Sequence, residues 1–249
     1  MSRLRNQKSK FIIFGQGRSG SNLLVDLLNS HPDIYCEREI LNNLRVNRNR
    51  RLLRFLINNF PYIYINYFLY RFSSQIFGFK LIVRQLKQYE QLKTRLFNGS
   101  WKIIHIQRND ILQQTFSSII ANKTGKFKRR IGNKEDLRVF NIKPQTVVNN
   151  LIRRTDDLEY EKKILNGVNY INIVYEKDLA NSTKWTESMR QVFEYLDLKP
   201  VDVTTAIIKT NQRSVEHRIS NYKEIIEYLK NTQFSNLVSN TQNENIKIH

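Results

Sequence analysis

The chain is poor in the residues that staple small secreted or metal-bound domains. Of its 249 residues one is cysteine, Cys36, which excludes an internal disulfide and any cysteine-built zinc cluster. Four prolines and eight glycines exclude a collagen-like or low-complexity chain. Four histidines are scattered without ligand spacing, so no metal site is expected. No apolar run approaches the roughly eighteen residues that would cross a bilayer. The start, Met1–Lys10, is polar and basic with no long apolar stretch behind it. Neither a signal peptide nor an anchor is therefore expected, and the chain reads as cytoplasmic. Acidic residues are scarce as well: 22 stand against 41 basic ones, for a formal net charge of +19. Such a surplus concerns partners rather than fold: polyanions, anionic membranes or phosphate-bearing ligands.

What is present is the composition of a globular domain, with 40% hydrophobic and 25% charged residues. Length favours one large domain, taken as 1–232, with a polar Asn- and Gln-rich tail over 233–249 expected to be loose. Phe11-Ile12-Ile13-Phe14 is a continuous β-prone apolar run, as in a strand buried on both faces. Leu23, Leu24, Leu27 and Leu28 then recur at helical spacing until Ser30-His31-Pro32. Ile34–Cys36, Gly78–Val83, Lys102–Ile106 and Tyr170–Tyr175 read as further strands. Helices are expected over 85–97, from Ile111 onward, from Pro144 to about Leu165, over 185–196 and over 221–229, with a basic loop at 123–134. Strands alternating with helices predict an α/β three-layer sandwich around a central parallel sheet.

Residues 41–75 stand apart as a basic, aromatic helical insertion broken at Pro61. Arg45, Arg48, Arg50, Arg51 and Arg54 crowd its first part, and eight tyrosines and phenylalanines lie between Phe55 and Phe72. Four uses compete: an acidic glycan or glycolipid, an anionic membrane surface, nucleic acid, or a plain basic face over an aromatic core. No helix-turn-helix, RNA-recognition or zinc motif is present, so nucleic acid is not expected as a partner.

Gly15-x-Gly17-x-x-Gly20 matches the dinucleotide fingerprint, and Gly15-x-x-x-x-Gly20-Ser21 matches most of a phosphate-binding P-loop. Both use glycines to let the backbone approach an anion at a helix start. A nucleotide triphosphatase needs lysine where Ser21 stands. A dinucleotide site needs an acidic residue about twenty positions on, which Glu37 or Glu39 could supply. A kinase or NAD oxidoreductase therefore stays open as an alternative enzyme, and a basic polyanion-binding protein as the non-enzyme alternative.

Arg18-Ser19-Gly20-Ser21-Asn22-Leu23 resembles the 5′-phosphosulfate loop of the sulfotransferases. Ile103–Asp110, with Arg108 and then Ser117, resembles that family's 3′-phosphate motif, in which strand, arginine, helix and serine act together. Ser118 is the neighbouring option, and Asn109 or Asp110 is placed to cap the helix. Weaker similarity to bacterial members acting on carbohydrates or glycolipids lies in Gly78-Phe79-Lys80-Leu81, Tyr175-Glu176-x-x-Leu179 and Ile219-Ser220-Asn221-Tyr222. The resemblance implies a P-loop NTPase-like sandwich and metal-free sulfuryl transfer from 3′-phosphoadenosine-5′-phosphosulfate (PAPS), leaving adenosine 3′,5′-bisphosphate. It implies Gly17, Arg18, Ser19, Gly20, Ser21, Asn22, Leu23, Arg108 and Ser117 as contacts to that donor, with Arg18 also stabilising developing charge. Glu39 is the candidate general base, ahead of Glu37 and His31. The acceptor would be a carbohydrate, a glycolipid or a small molecule, with peripheral contact at an anionic membrane as a further expectation.

Overall fold

A computed structural model describes residues 9–42, 51–72, 75–127, 129–132, 136–208 and 214–238. Arg45, Arg48 and Arg50, and the tail from 239, lie outside the described residues. The chain divides into two compact units, one running to Gln107 and resuming over Tyr160–Ala206, the other formed by Arg108–Glu159 and the chain from Ile207.

The first unit is built on a five-stranded sheet of β1 (Lys10–Gly15), β2 (Ile34–Glu37), β3 (Ile76–Ile82), β4 (Lys102–Gln107) and β6 (Tyr170–Val174). The spatial order is β2-β3-β1-β4-β6 and every pairing is parallel. Successive side chains of a strand point to opposite faces, and β1 divides its apolar run accordingly. Ile12 and Phe14 enter a cluster with Phe77, Phe79 and Leu81 of β3, whereas Phe11 and Ile13 enter another with Ile104 and Ile106 of β4. The first face is covered by α2 (Arg51–Asn59), α3 (Pro61–Arg71), α4 (Val83–Gln88) and α5 (Lys93–Leu96), and by Ile164 and Leu165 at the end of α7 (Pro144–Leu165). The second is covered by α1 (Ser21–Leu28) and α8 (Trp185–Tyr195), which supply Leu24, Leu27, Met189 and Phe193. A sheet buried on both faces explains why the central strands read as continuous apolar runs.

The second unit holds α6 (Ile111–Thr124), most of α7, α9 (Tyr222–Lys230) and a short antiparallel pair, β5 (Arg129–Arg130) with β7 (Ile207–Ile208). Its core joins Leu112, Phe116, Val147, Leu151, Ile225 and Leu229. The Asn221 side chain stitches it, donating to the Ile142 carbonyl at 2.9 Å and accepting from the Ile142 amide at 3.0 Å.

Two local expectations change. The helix expected over 85–97 breaks at Tyr89, whose backbone leaves the helical region (φ −122°, ψ 61°) while its buried ring puts the hydroxyl 3.3 Å from Asn58 Oδ1. The tail expected to be loose from residue 233 begins inside the second core. Phe234 and Val238, four residues apart, are both buried there. No helix among the described residues is long and apolar enough to cross a membrane.

Candidate functional site

Successive strands are added on opposite sides of β1, with β2 and β3 to one side and β4 and β6 to the other. In open α/β sheets the crevice outside the carboxyl ends of the strands at such a point takes ligands. The loop after β1 is the glycine segment. Gly15 pairs with Ile106 of β4, and a side chain there would run into the Ile106 carbonyl oxygen. Ser19 is fully buried, and its hydroxyl donates to the Gln16 carbonyl at 2.8 Å, closing the turn from inside. Gly17 has open space where a Cβ would stand.

Arg18 occupies the left-handed backbone region (φ 70°). For a residue with a side chain this costs about 1–2 kcal/mol, and such outliers gather at ligand clamps. Gly20 is also left-handed (φ 89°), and any side chain there would strike the Tyr175 ring. Tyr175 opens a short π-helical turn, Tyr175–Leu179, whose last residue also packs at Gly20. The weaker Tyr175-Glu176-x-x-Leu179 pattern thus has a physical use beside the loop.

Gly20 is the N-cap of α1. No side chain caps the helix, and its first turn holds no acidic residue. A helix start without an acidic residue in its own first turn favours an anion at its positive dipole end. Ser21 is buried at the first helical position, and Leu23 packs against the second cluster. The residues present fit a phosphosulfate: a turn shaped by Ser19 and Gly20, a cation at Arg18 and a helix that starts on a glycine.

Asn22 ties this helix to the candidate base. Lys80 on β3 donates from Nζ to Asn22 Oδ1 at 3.1 Å and lies 2.7 Å from Glu39 Oε1. Asn42 Nδ2 donates to Glu39 Oε2 at 3.1 Å. Lys80 was not singled out as a site residue from sequence, although the signal is legible: one lysine inside an otherwise apolar strand, buried to 4% exposure. Of the other base candidates, Glu37 accepts from the Tyr35 hydroxyl at 2.7 Å and from the Arg38 amide at 3.2 Å. Burial foremost, then the hydrogen bond to Glu37 and its negative charge, raise the Tyr35 phenol to about 12. His31 is buried against Phe193; Nδ1 accepts from the Asp33 amide at 3.1 Å, which leaves the proton on Nε2, 3.1 Å from the Lys199 carbonyl. Both ring nitrogens are thereby engaged in holding the turn after α1.

Arg108 and Ser117 belong to the second unit. Arg108 is the residue after β4, and Asp110 caps α6, its carboxylate accepting from the Gln113 amide at 2.8 Å. Ser117 and Ser118 are both half-buried on α6. Its inner face is fixed by Phe116, whose ring meets Tyr222 at 5.5 Å, and by buried Arg154 of α7, donating to the Gln114 carbonyl at 3.2 Å. The structure thus brings Asn22, Glu39 and Lys80 together in the first unit, with Arg18 through Leu23 on the adjoining loop and helix.

The fold is similar to that of a sulfotransferase from Alicyclobacillus acidocaldarius, with a TM-score of 0.53, 11% sequence identity and 93% of each chain covered. The sulfotransferase domain from the curacin biosynthetic pathway gives a TM-score of 0.48 at 13% identity, covering 95% of this chain and 99% of that one. A shikimate kinase from Bacteroides thetaiotaomicron gives 0.44 at 11% identity, covering 76% and 99%. No protein-family model matches the chain, and no curated protein matches its sequence. Identities this low concern fold alone, and the architecture is the P-loop-like three-layer sandwich.

Proposed function

We propose that the protein is a sulfotransferase that takes PAPS as donor and a hydroxyl of a carbohydrate, glycolipid or small molecule as acceptor. The observation that carries this reading is the continuous chain from the strained Arg18 loop, through Asn22 at the start of α1, to Lys80 and Glu39. PAPS, when bound, supplies an activated sulfuryl group, and the protein's part is positioning and electrostatics. Arg18 and the α1 start favour negative charge gathering on the leaving phosphate side. Glu39 takes the acceptor's hydroxyl proton at a carboxylate oxygen, and Lys80 and Asn42 fix where that carboxylate points. Arg108 offers a fork of donors, and Ser117 a hydroxyl, to the 3′-phosphate.

The test is conversion of PAPS to adenosine 3′,5′-bisphosphate with sugar and glycolipid fractions, with mass-spectrometric detection of a sulfated product. Glu39→Gln keeps its hydrogen-bonding shape and is expected to bind the bisphosphate as the parent does while turnover drops about 10²- to 10⁴-fold. Full turnover in that variant removes Glu39 as the base. Acceptor-independent loss of PAPS, or none, removes the transferase reading.

A further inference from the structure

The α2–α3 helix pair, joined through Phe60, uses both of its sides. Ile57 and Ile65 are fully buried in the first core, with Tyr62, Tyr64, Phe68 and Phe72 packed against it. The other side carries Leu52, Phe55, Phe60, Ile63, Tyr67 and Tyr70, all exposed, Leu52 to 73% and Tyr70 to 84%. On α3 the spacing of Ile63, Tyr67 and Tyr70 places them on one helical face. The Phe55 and Phe60 rings meet edge-on at 6.2 Å, and Arg71 donates to the Tyr67 hydroxyl at 3.3 Å. Arg51, which opens α2, and Arg71, which ends α3, are exposed as well. No acidic residue occurs between Glu39 and Glu90, while nine basic ones do.

We propose that this outer face docks on an anionic lipid bilayer. Aliphatic and amphipathic aromatic side chains along a basic helical element are the composition that seats at the boundary between headgroups and acyl chains. Arginine around that face is drawn to anionic headgroups, and the lack of acids removes the opposing repulsion. A second copy of the chain fits worse, because a two-fold contact would bring two basic faces with no acidic residue between Glu39 and Glu90 against each other. Nucleic acid or a glycan would use the rings but not Leu52 and Ile63. The inference stands apart from the reading of the glycine loop.

The test is co-sedimentation of the full chain with vesicles of phosphatidylcholine alone and of an equimolar mixture with phosphatidylglycerol, at rising salt. The expected result is binding to the mixed vesicles only, weakened by salt. The combined Leu52→Ser, Ile63→Ser and Tyr70→Ser variant is expected to lose at least about tenfold in partitioning. Its thermal unfolding should stay that of the parent, since exposed side chains contribute little to stability. Arg51→Gln with Arg71→Gln should flatten the salt dependence. Failure to sediment with mixed vesicles overturns the proposal, as does equal binding by the serine variant. A dimer that the serine variant splits, or a single-stranded nucleic acid bound more tightly than vesicles through the same side chains, overturns it too.

Discussion

The Lys80 ammonium lies 2.7 Å from the Glu39 carboxylate, with the two side chains only 5% and 15% exposed. Lys80 comes from a central strand and Glu39 from the loop beyond a neighbouring one, so the contact pins a loop carboxylate to the rigid part of the sheet. The same ammonium holds Asn22 at 3.1 Å. One buried cation therefore sets the distance between the candidate base and the helix that opens the anion loop. Half-buried charges are tolerated only in pairs.

Lys80→Met removes that pairing and leaves the Glu39 carboxylate in a poorly solvated position. Urea unfolding should show a loss of about 3 kcal/mol. The Lys80→Met/Glu39→Gln pair should recover part of it, because the stranded charge is gone. Strict additivity of the two single changes would mean the contact contributes nothing.

The loop residues divide by what limits them. Gly20→Ala forces a side chain into the Tyr175 ring at a left-handed position and should destabilise by more than about 1 kcal/mol. Gly17→Ala meets no atom, so stability should change by less than about 0.5 kcal/mol. Arg18→Gly relieves a left-handed arginine and should leave stability unchanged or higher, yet weaken binding of adenosine 3′,5′-bisphosphate. Thermal unfolding with and without the bisphosphate reads both effects. An Arg18→Gly protein that unfolds at lower temperature and binds as well as the parent contradicts this division.

His105 of β4 lies 3.0 Å from Glu161 of α7, both buried, with the Tyr170 ring edge-on at 5.6 Å. His105→Leu removes a hydrogen-bond partner of a buried carboxylate and should cost about 1.5–3 kcal/mol. Adding Glu161→Leu should restore a large share of the loss. Calorimetric unfolding of the two variants decides it, and a double variant weaker than the single one would refute it.

Tyr222 gives a stability signature at alkaline pH. Burial foremost, then the Glu216 and Asp110 carboxylates, raise its phenol from about 10 to about 12. The unfolded chain loses that proton first, so the stability tied to Tyr222 is whole below pH 10 and drains away as pH rises through 12. Tyr222→Phe should flatten the fall in melting temperature across that window. An unchanged slope would show that the shift is absent.

Much of this fold is written in the sequence because the central strands are buried on both faces. Phe11–Phe14 cannot be read as anything amphipathic, and each such run became a strand. The letters also exposed the glycine turn and a cap at Asn109 or Asp110, of which the structure uses Asp110. What stayed hidden depends on partners distant in the chain. The break at Tyr89 follows from burying its ring near Asn58, and nothing local to residues 85–97 announces it. The left-handed backbone of Arg18 is invisible because arginine does not advertise that conformation as glycine does. His31 beside a turn proline looks reactive in sequence, whereas its ring closes backbone contacts.

The proposed function assigns the 5′ end of the PAPS donor to the Arg18 loop and its 3′-phosphate to Arg108. Thermal shift with adenosine 3′,5′-bisphosphate, ATP and NAD, on the parent, Arg18→Gly and Arg108→Gln, tests it most directly. Selective stabilisation by the bisphosphate is expected, worth about 2.7 kcal/mol at a hundredfold excess over the dissociation constant, with most of it lost in either variant. Stabilisation by ATP or NAD alone, or a full bisphosphate shift in Arg108→Gln, would contradict it.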